Sequence, residues 1–192
     1  EELEAILESI ENGTAYDAKE KTQMKVGVHV LPRFMRDTTD RNRTSPFAFT
    51  GNKFEFRMLG SSSSIAGVNT MLNTAVAESL RVFADELEAA DDFTDALNKL
   101  ITRTIKDHKR IIFNGNGYDE SWLEEAEKRG LLNLRSTPDC LPYLLKEKNI
   151  ELFTTHKVYS EVEIRSRYEI LLENYSKVIH VEAMTMIDMV NH

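Results

Sequence analysis

Two periods of hydrophobic and polar residues divide this 192-residue chain. Leu3, Ile6, Leu7 and Ile10 recur at helical spacing and predict a helix that Asn12-Gly13 stops. Residues 24–31 read as a strand ending at Pro32. In a second strand Phe54, Phe56 and Met58 alternate with Lys53, Glu55 and Arg57. From Ile65 onward the helical period returns. Ile65, Val68, Leu72, Val76, Leu80, Phe83 and Leu87 form one stripe, with the serines at 61–64 as its capping region. Phe93, Leu97, Leu100, Ile101 and Ile105 form another after Asp91-Asp92. That helix ends in Lys106, His108, Lys109 and Arg110, whose charge complements the helix dipole.

Cap signals place three further helices. Ser121-x-x-Glu124 is a capping box, and Gly130 after Lys128-Arg129 closes the short helix it opens. Thr137-Pro138 reads as an N-cap followed by proline at the first helical position, with helix through about Lys146. Ser160-x-x-Glu163 opens a final helix bearing Ile164, Tyr168, Leu171, Leu172, Tyr175, Val178, Ile179, Met186 and Met189 on one side. Its length of roughly 30 residues corresponds to about 45 Å. Asn114-Gly115-Asn116-Gly117 is a turn cluster. The first helix starts without a cap and the last has no stop signal, so the chain is expected to be a piece of something larger. The expected fold class is α+β: mostly helical, with a small antiparallel β part near the N-terminal third. The expected division is residues 1–64, an α/β region, and residues 65–192, a helical region ending in the long helix.

Composition narrows the function. A length of 192 residues is enough for one full core, or for one domain plus part of another, and 41% hydrophobic residues argue against disorder. No apolar run approaches the roughly 20 residues of a membrane span, and no membrane partner is expected. The acidic start, Glu1-Glu2-Leu3-Glu4, does not resemble a signal peptide, and a single cysteine, Cys140, fits a reducing compartment. A cytoplasmic location is expected. The net charge of −8 argues against a general nucleic-acid binder. Residues 33–57 nevertheless carry six basic side chains against three acidic ones. A basic island in an acidic chain points to a compact anion, or to ordinary surface ion pairing.

Two segments within that island carry the candidate chemistry. On the polar face of the second strand Glu55 lies between Lys53 and Arg57, each about 7 Å away along the strand. A carboxylate is a hard oxygen ligand suited to magnesium or manganese, and arginine recognises phosphate or carboxylate with two prongs. The bland alternative is an ion pair on a solvated face. The aromatic face, Phe54, Phe56 and Met58, is expected to anchor the strand in a core. The other segment, Arg41-Asn42-Arg43-Thr44-Ser45-Pro46, is either an exposed turn or a loop that brings arginine to a polyphosphate. The remaining candidates are weaker. His29 reads as a half-buried strand residue, and His180 and Glu182 lie about 200° apart on their helix, too far to share a metal. His108 and His156 lack a partner at metal-ligand spacing. Cys140 has no adjacent base and reads as packed.

Asn42-Arg43-Thr44-Ser45 followed by Lys53-Phe54-Glu55-Phe56-Arg57 resembles the C-terminal catalytic signature of glutamine synthetases, in which an Asn-Arg-Ser/Thr segment precedes a Glu-x-Arg strand. With residues 46–52 between them, these segments are similar to the long type III enzymes in particular, and the similarity extends from Ala15 through Thr185. The resemblance implies the C-terminal part of a catalytic domain. It implies that Glu55 is a ligand of one active-site divalent metal, Mg2+ or Mn2+. It places Arg57 near the substrate γ-carboxylate and the transferred phosphate, Arg43 on the phosphates of ATP, and Lys53 near the same phosphates. The implied reaction joins ammonia to glutamate at the expense of ATP, through γ-glutamyl phosphate, in a homo-oligomer. Where many family members carry a second arginine, this chain has Phe47-Ala48-Phe49. The other metal-binding glutamates, the metal histidine and the arginine for the α-carboxylate have no counterpart here and on the family pattern precede Glu1. The isolated chain is therefore expected to be inactive. The alternative is a non-catalytic helical module for oligomerisation.

Overall fold

Wherever the helical period runs without glycine or proline, the chain is helical. In a computed structural model, which describes residues 2–14, 23–24, 34–35, 47–49, 53–113 and 119–191, the helices are α1 (Glu2–Asn12), α2 (Ala66–Glu88), α3 (Phe93–His108), α4 (Glu120–Lys128), α5 (Thr137–Cys140), α6 (Glu147–Thr155) and α7 (Glu161–Asn191). Single 3₁₀ segments at Lys109–Ile111 and Leu141–Leu145 extend α3 and α5. Strands β1 (Gln23–Met24) and β2 (Phe34–Met35) pair antiparallel, as do β3 (Phe47–Phe49) and β4 (Phe54–Phe56). The fold is α+β and mostly helical, as the periodicity predicts. Most of the strand expected over 24–31, the Asn-Gly cluster at 114–117 and His29 lie outside the described residues.

Two compact units interleave along the sequence: residues 1–62 with 91–131, and residues 63–90 with 132–192. In the first, α1 packs against α3, and Leu100 is the buried centre of α3. Phe93 and Ile101, expected inward, are exposed. The ion pair from Lys109 Nζ to Glu11 Oε2, 2.6 Å, ties the end of α3 to the end of α1. Gly13 closes α1 at φ +65, with the Gly13 amide bonded to Ile10 and the Thr14 amide to Ser9. This left-handed closure satisfies carbonyls that the last turn leaves unpaired.

Helix α4 begins two residues earlier than its capping box proposes. Asp119 is the N-cap, and its carboxylate accepts from the Ser121 amide at 2.9 Å. An ionised carboxylate is a stronger acceptor than a hydroxyl and also meets the positive end of the dipole. In α5 the N-cap is Ser136 and not Thr137: Ser136 has the extended backbone of a cap, and its hydroxyl accepts from the Asp139 amide. At the other end of α4 Gly130 stops the helix at φ +71, as expected. Phe113 and Trp122 stack with centroids 3.8 Å apart, and Arg129 lies over Trp122 while donating to Glu125 and to the Ile112 carbonyl.

In the second unit the first half of α7 packs on α5, α6 and the 3₁₀ segment between them. Ile164 is fully buried, and Tyr168, Leu172 and Tyr175 follow it at half burial. From residue 176 to 191 every residue of α7 is exposed, so the apolar side predicted for its far half is uncovered in this chain. Helix α2 behaves similarly. Its neighbour is α6, only nine residues long. Val68, Leu72, Phe83 and Leu87 are half-buried, Ile65, Val76 and Leu80 stay exposed, and Thr74 is the buried residue. Cys140, expected to be packed, is exposed, with Sγ 3.8 Å from the Leu134 carbonyl.

The capping box of α7 forms as predicted. The Ser160 hydroxyl accepts from the Glu163 amide at 3.3 Å, while Glu163 Oε2 accepts from the Ser160 amide at 2.8 Å. Replacing Ser160 with Ala is expected to lower stability by about 1 kcal/mol, read as a lower urea midpoint with an unchanged slope. A second prediction concerns pH. His156 Nε2 lies 2.7 Å from Glu78 Oε2, which joins α6 to α2, and Arg81 grips the same carboxylate with two nitrogens. Arg81 first, and His156 second, hold Glu78 down at about 2 from an ordinary 4.5. A depressed carboxylate stabilises the fold above its unfolded value, and that contribution is lost as pH falls from about 4.5 toward 2. Glu78→Gln is expected to reduce the slope of stability against pH in that window, measured by denaturation at stepped pH.

Candidate functional site

Antiparallel pairing sets Phe47 against Phe56, Ala48 against Glu55 and Phe49 against Phe54. Because side chains alternate across a strand, Ala48 shares one face of the hairpin with Glu55 and with the flanking Lys53 and Arg57. Ala48 is 4% exposed, whereas the carboxylate opposite it is 38% exposed. The small residue leaves room above itself, and the long charged side chains converge there.

The convergence is close. Arg57 Nε and Nη2 donate to the same oxygen, Glu55 Oε2, at 3.0 and 2.7 Å. Lys53 Nζ stands 3.9 Å from the other oxygen, Oε1. The Arg57 hydrogen bond, followed by partial desolvation in the opposite sense and then by the charges of Arg57 and Lys53, holds the Glu55 carboxyl below the ordinary carboxylate range. Glu55 is thus an anion at any physiological pH, with a cation on each of its oxygens.

The other face of the hairpin departs from expectation. Phe54 and Met58 are exposed, Phe56 borders on exposed, and none of them anchors a core. Two strands of three residues offer little surface to one another, and the aromatic rings cover each other instead: Phe47 and Phe54 stack with centroids 5.1 Å apart. Arg43, with Arg41, Asn42 and Thr44, lies outside the described residues. The structure therefore brings Lys53, Glu55 and Arg57 together and leaves the position of Arg43 open.

A divalent cation would find at Glu55 one hard, ionised, accessible oxygen donor, the chemistry that magnesium and manganese favour. Among the described residues no three His, Cys, Asp or Glu side chains converge as a metal cage. The described residues fit one ligand's share of a metal site. His156, which has no partner at metal-ligand spacing in the sequence, is bonded to Glu78 instead and takes no part in the hairpin. Their separation of 78 positions gives no local signal of this contact.

The helical region matches the family described as glutamine synthetase C-terminal domain over residues 96–192, half of the chain. The chain belongs to the glutamine synthetase family. It is 46% identical over 193 aligned residues to a glutamine synthetase of Butyrivibrio fibrisolvens and 46% identical to a type-3 glutamine synthetase of Dictyostelium discoideum. It is 34% identical to a glutamine synthetase of Bacteroides fragilis. Each alignment covers 99% of this chain but only 26–27% of the relative, so the chain spans about a quarter of the length of these glutamine synthetases. The β3–β4 hairpin precedes the matched C-terminal domain and falls within the region shared with the full-length relatives. Among the described residues no helix is long and apolar enough to cross a membrane.

The geometry gives a direct expectation for Glu55. With Arg57→Ala, the carboxyl is expected to titrate at higher pH than in the parent chain, followed by carbon-13 NMR of the Glu55 side chain. An unchanged titration would show that Arg57 does not govern this carboxylate.

Proposed function

We propose that this chain supplies part of the active site of an ATP-dependent glutamate–ammonia ligase. The observation that carries this reading is the single-face convergence of Lys53, Glu55 and Arg57, with both cations within 3.9 Å of the Glu55 carboxylate. Membership of the family and the names of the relatives support the reaction class.

Glu55 would hold a divalent metal, Mg2+ or Mn2+, together with ligands outside the described residues. Such a metal, when bound, neutralises phosphate charge during phosphoryl transfer. Arg57 holds the γ-carboxylate of glutamate and the phosphoryl group passing to it. Its planar fork suits both anions, and its hydrogen bonds to Glu55 support a role beside the proposed metal. Lys53, the more exposed of the two cations, would serve the nucleotide phosphates, and Arg43 is proposed as a further phosphate contact on the family resemblance alone. The acid group of glutamate attacks the terminal phosphorus of ATP, ADP leaves, and γ-glutamyl phosphate forms. Ammonia then adds to the acyl carbon, phosphate departs with the C–O bonding pair, and the nitrogen gives up one proton to the departing phosphate to leave the amide. The chain's own residues contribute position and opposite charge, the main demand of phosphoryl transfer.

The complete enzyme works in the cytoplasm as a homo-oligomer. The exposed apolar residues of the far half of α7, among them Val178, Ile179, Met186 and Met189, favour a role for the helical region in packing against other parts of that assembly. Among the described residues no three His, Cys, Asp or Glu side chains converge as a metal cage, which supports the reading that the isolated chain is inactive. In the complete ligase, Arg57→Ala or Glu55→Ala is expected to reduce kcat/KM by about 10²–10³, near 3–4 kcal/mol, with the circular dichroism spectrum unchanged. Full activity in either variant would remove the assigned role.

A further inference from the structure

The proposed metal ligand and its arginine are bonded to one another, and this has a consequence for the order of binding. Arg57 places two nitrogens on Glu55 Oε2, at 3.0 and 2.7 Å, and Lys53 stands 3.9 Å from Oε1. A guanidinium seated on an oxygen from two nitrogens occupies the space and the lone pairs that a ligated cation needs. Arg57 must leave Oε2 before that oxygen can coordinate a metal. Its side chain is 31% exposed and long enough to turn away from the hairpin while its Cα stays fixed.

We infer that Arg57 is an electrostatic latch: it holds the Glu55 carboxylate until a divalent cation replaces it, and the displaced guanidinium then becomes available to the anionic substrate group. The inference rests on the reading of Glu55 as a metal ligand. It adds a coupling that this reading does not contain. Cation entry and anion capture become successive uses of the same two side chains. A cation that takes Glu55 releases a positive group beside itself, so metal and anion binding reinforce each other, and the reinforcement must be reciprocal. A static site would show simple repulsion instead, with Arg57 weakening cation binding by charge alone.

Charge and latch are separable by substitution. Arg57→Lys retains the positive charge and loses the two-pronged contact, because an ammonium is a single compact donor group. Manganese binding to the complete ligase without nucleotide, followed by the electron paramagnetic resonance of free Mn2+, is the test. For Arg57→Gln, affinity at the Glu55 site should rise about threefold to tenfold, the loss of a competing partly exposed ion pair. For Arg57→Lys it should still rise, by about twofold or more, because the fork is gone. Glu55→Gln should weaken that site, and adding Arg57→Gln to Glu55→Gln should change nothing further.

The outcomes divide cleanly. If Glu55→Gln leaves manganese binding intact, Glu55 is not a ligand and both readings fall. If Glu55→Gln weakens binding while Arg57→Lys matches the parent, the metal reading stands and the latch is overturned. If Arg57→Gln weakens manganese binding, Arg57 supports the site instead of competing for it, and the latch is likewise overturned. Circular dichroism and sedimentation of each variant confirm that folded, assembled protein is being compared.

Discussion

The two-residue period of strand β4 is the constraint on which the functional assignment depends. It sends Lys53, Glu55 and Arg57 to one face, and pairing with β3 puts the small side chain of Ala48 beneath them. A register shifted by one residue would send the charged set to the aromatic face and the aromatic set over Ala48. The distances of 2.7 and 3.0 Å between Arg57 and Glu55 follow from that alternation, because residues two apart on a strand lie within reach of long side chains.

The helical part of each unit obeys different physics. Burial is concentrated where short elements crowd together: Ile164 and Phe153 in one unit, Leu100 and Ala126 in the other. Away from those points the apolar stripes of α2 and α7 run on over exposed positions. Exposed apolar stripes of this kind are suited to packing against a partner surface, and the relatives that the chain matches are about four times as long. The hairpin tells the same story on a smaller scale. Phe47 and Phe54 stack on each other where a larger sheet would offer them a partner.

Much of this was legible in the residues, and the misses have physical causes. The capping box of Ser160 and Glu163 and the glycine stops at Gly13 and Gly130 appear where the sequence places them, because each is decided within five residues of chain. The starts of α4 and α5 moved because a second capping side chain stands one or two residues before the expected one, and choosing between Asp119 and Ser121 requires the backbone angles. The polar face of β4 was readable from alternation alone. The exposure of its aromatic face was not, because alternation shows which residues share a side and not what covers that side. The link between His156 and Glu78 had no sequence signal at all: it depends on how α2 meets α6.

The central claim is that the carboxylate of Glu55 belongs to a metal-and-phosphate cleft and not to bulk solvent. Anomalous diffraction at the manganese edge, on crystals of the complete ligase soaked with Mn2+ and a nucleotide, addresses it directly. The account predicts a manganese peak about 2–2.5 Å from a Glu55 oxygen, with Arg57 turned from that oxygen toward bound phosphate. Manganese ligated elsewhere, with Glu55 still clasped by Arg57 and facing water, would contradict it.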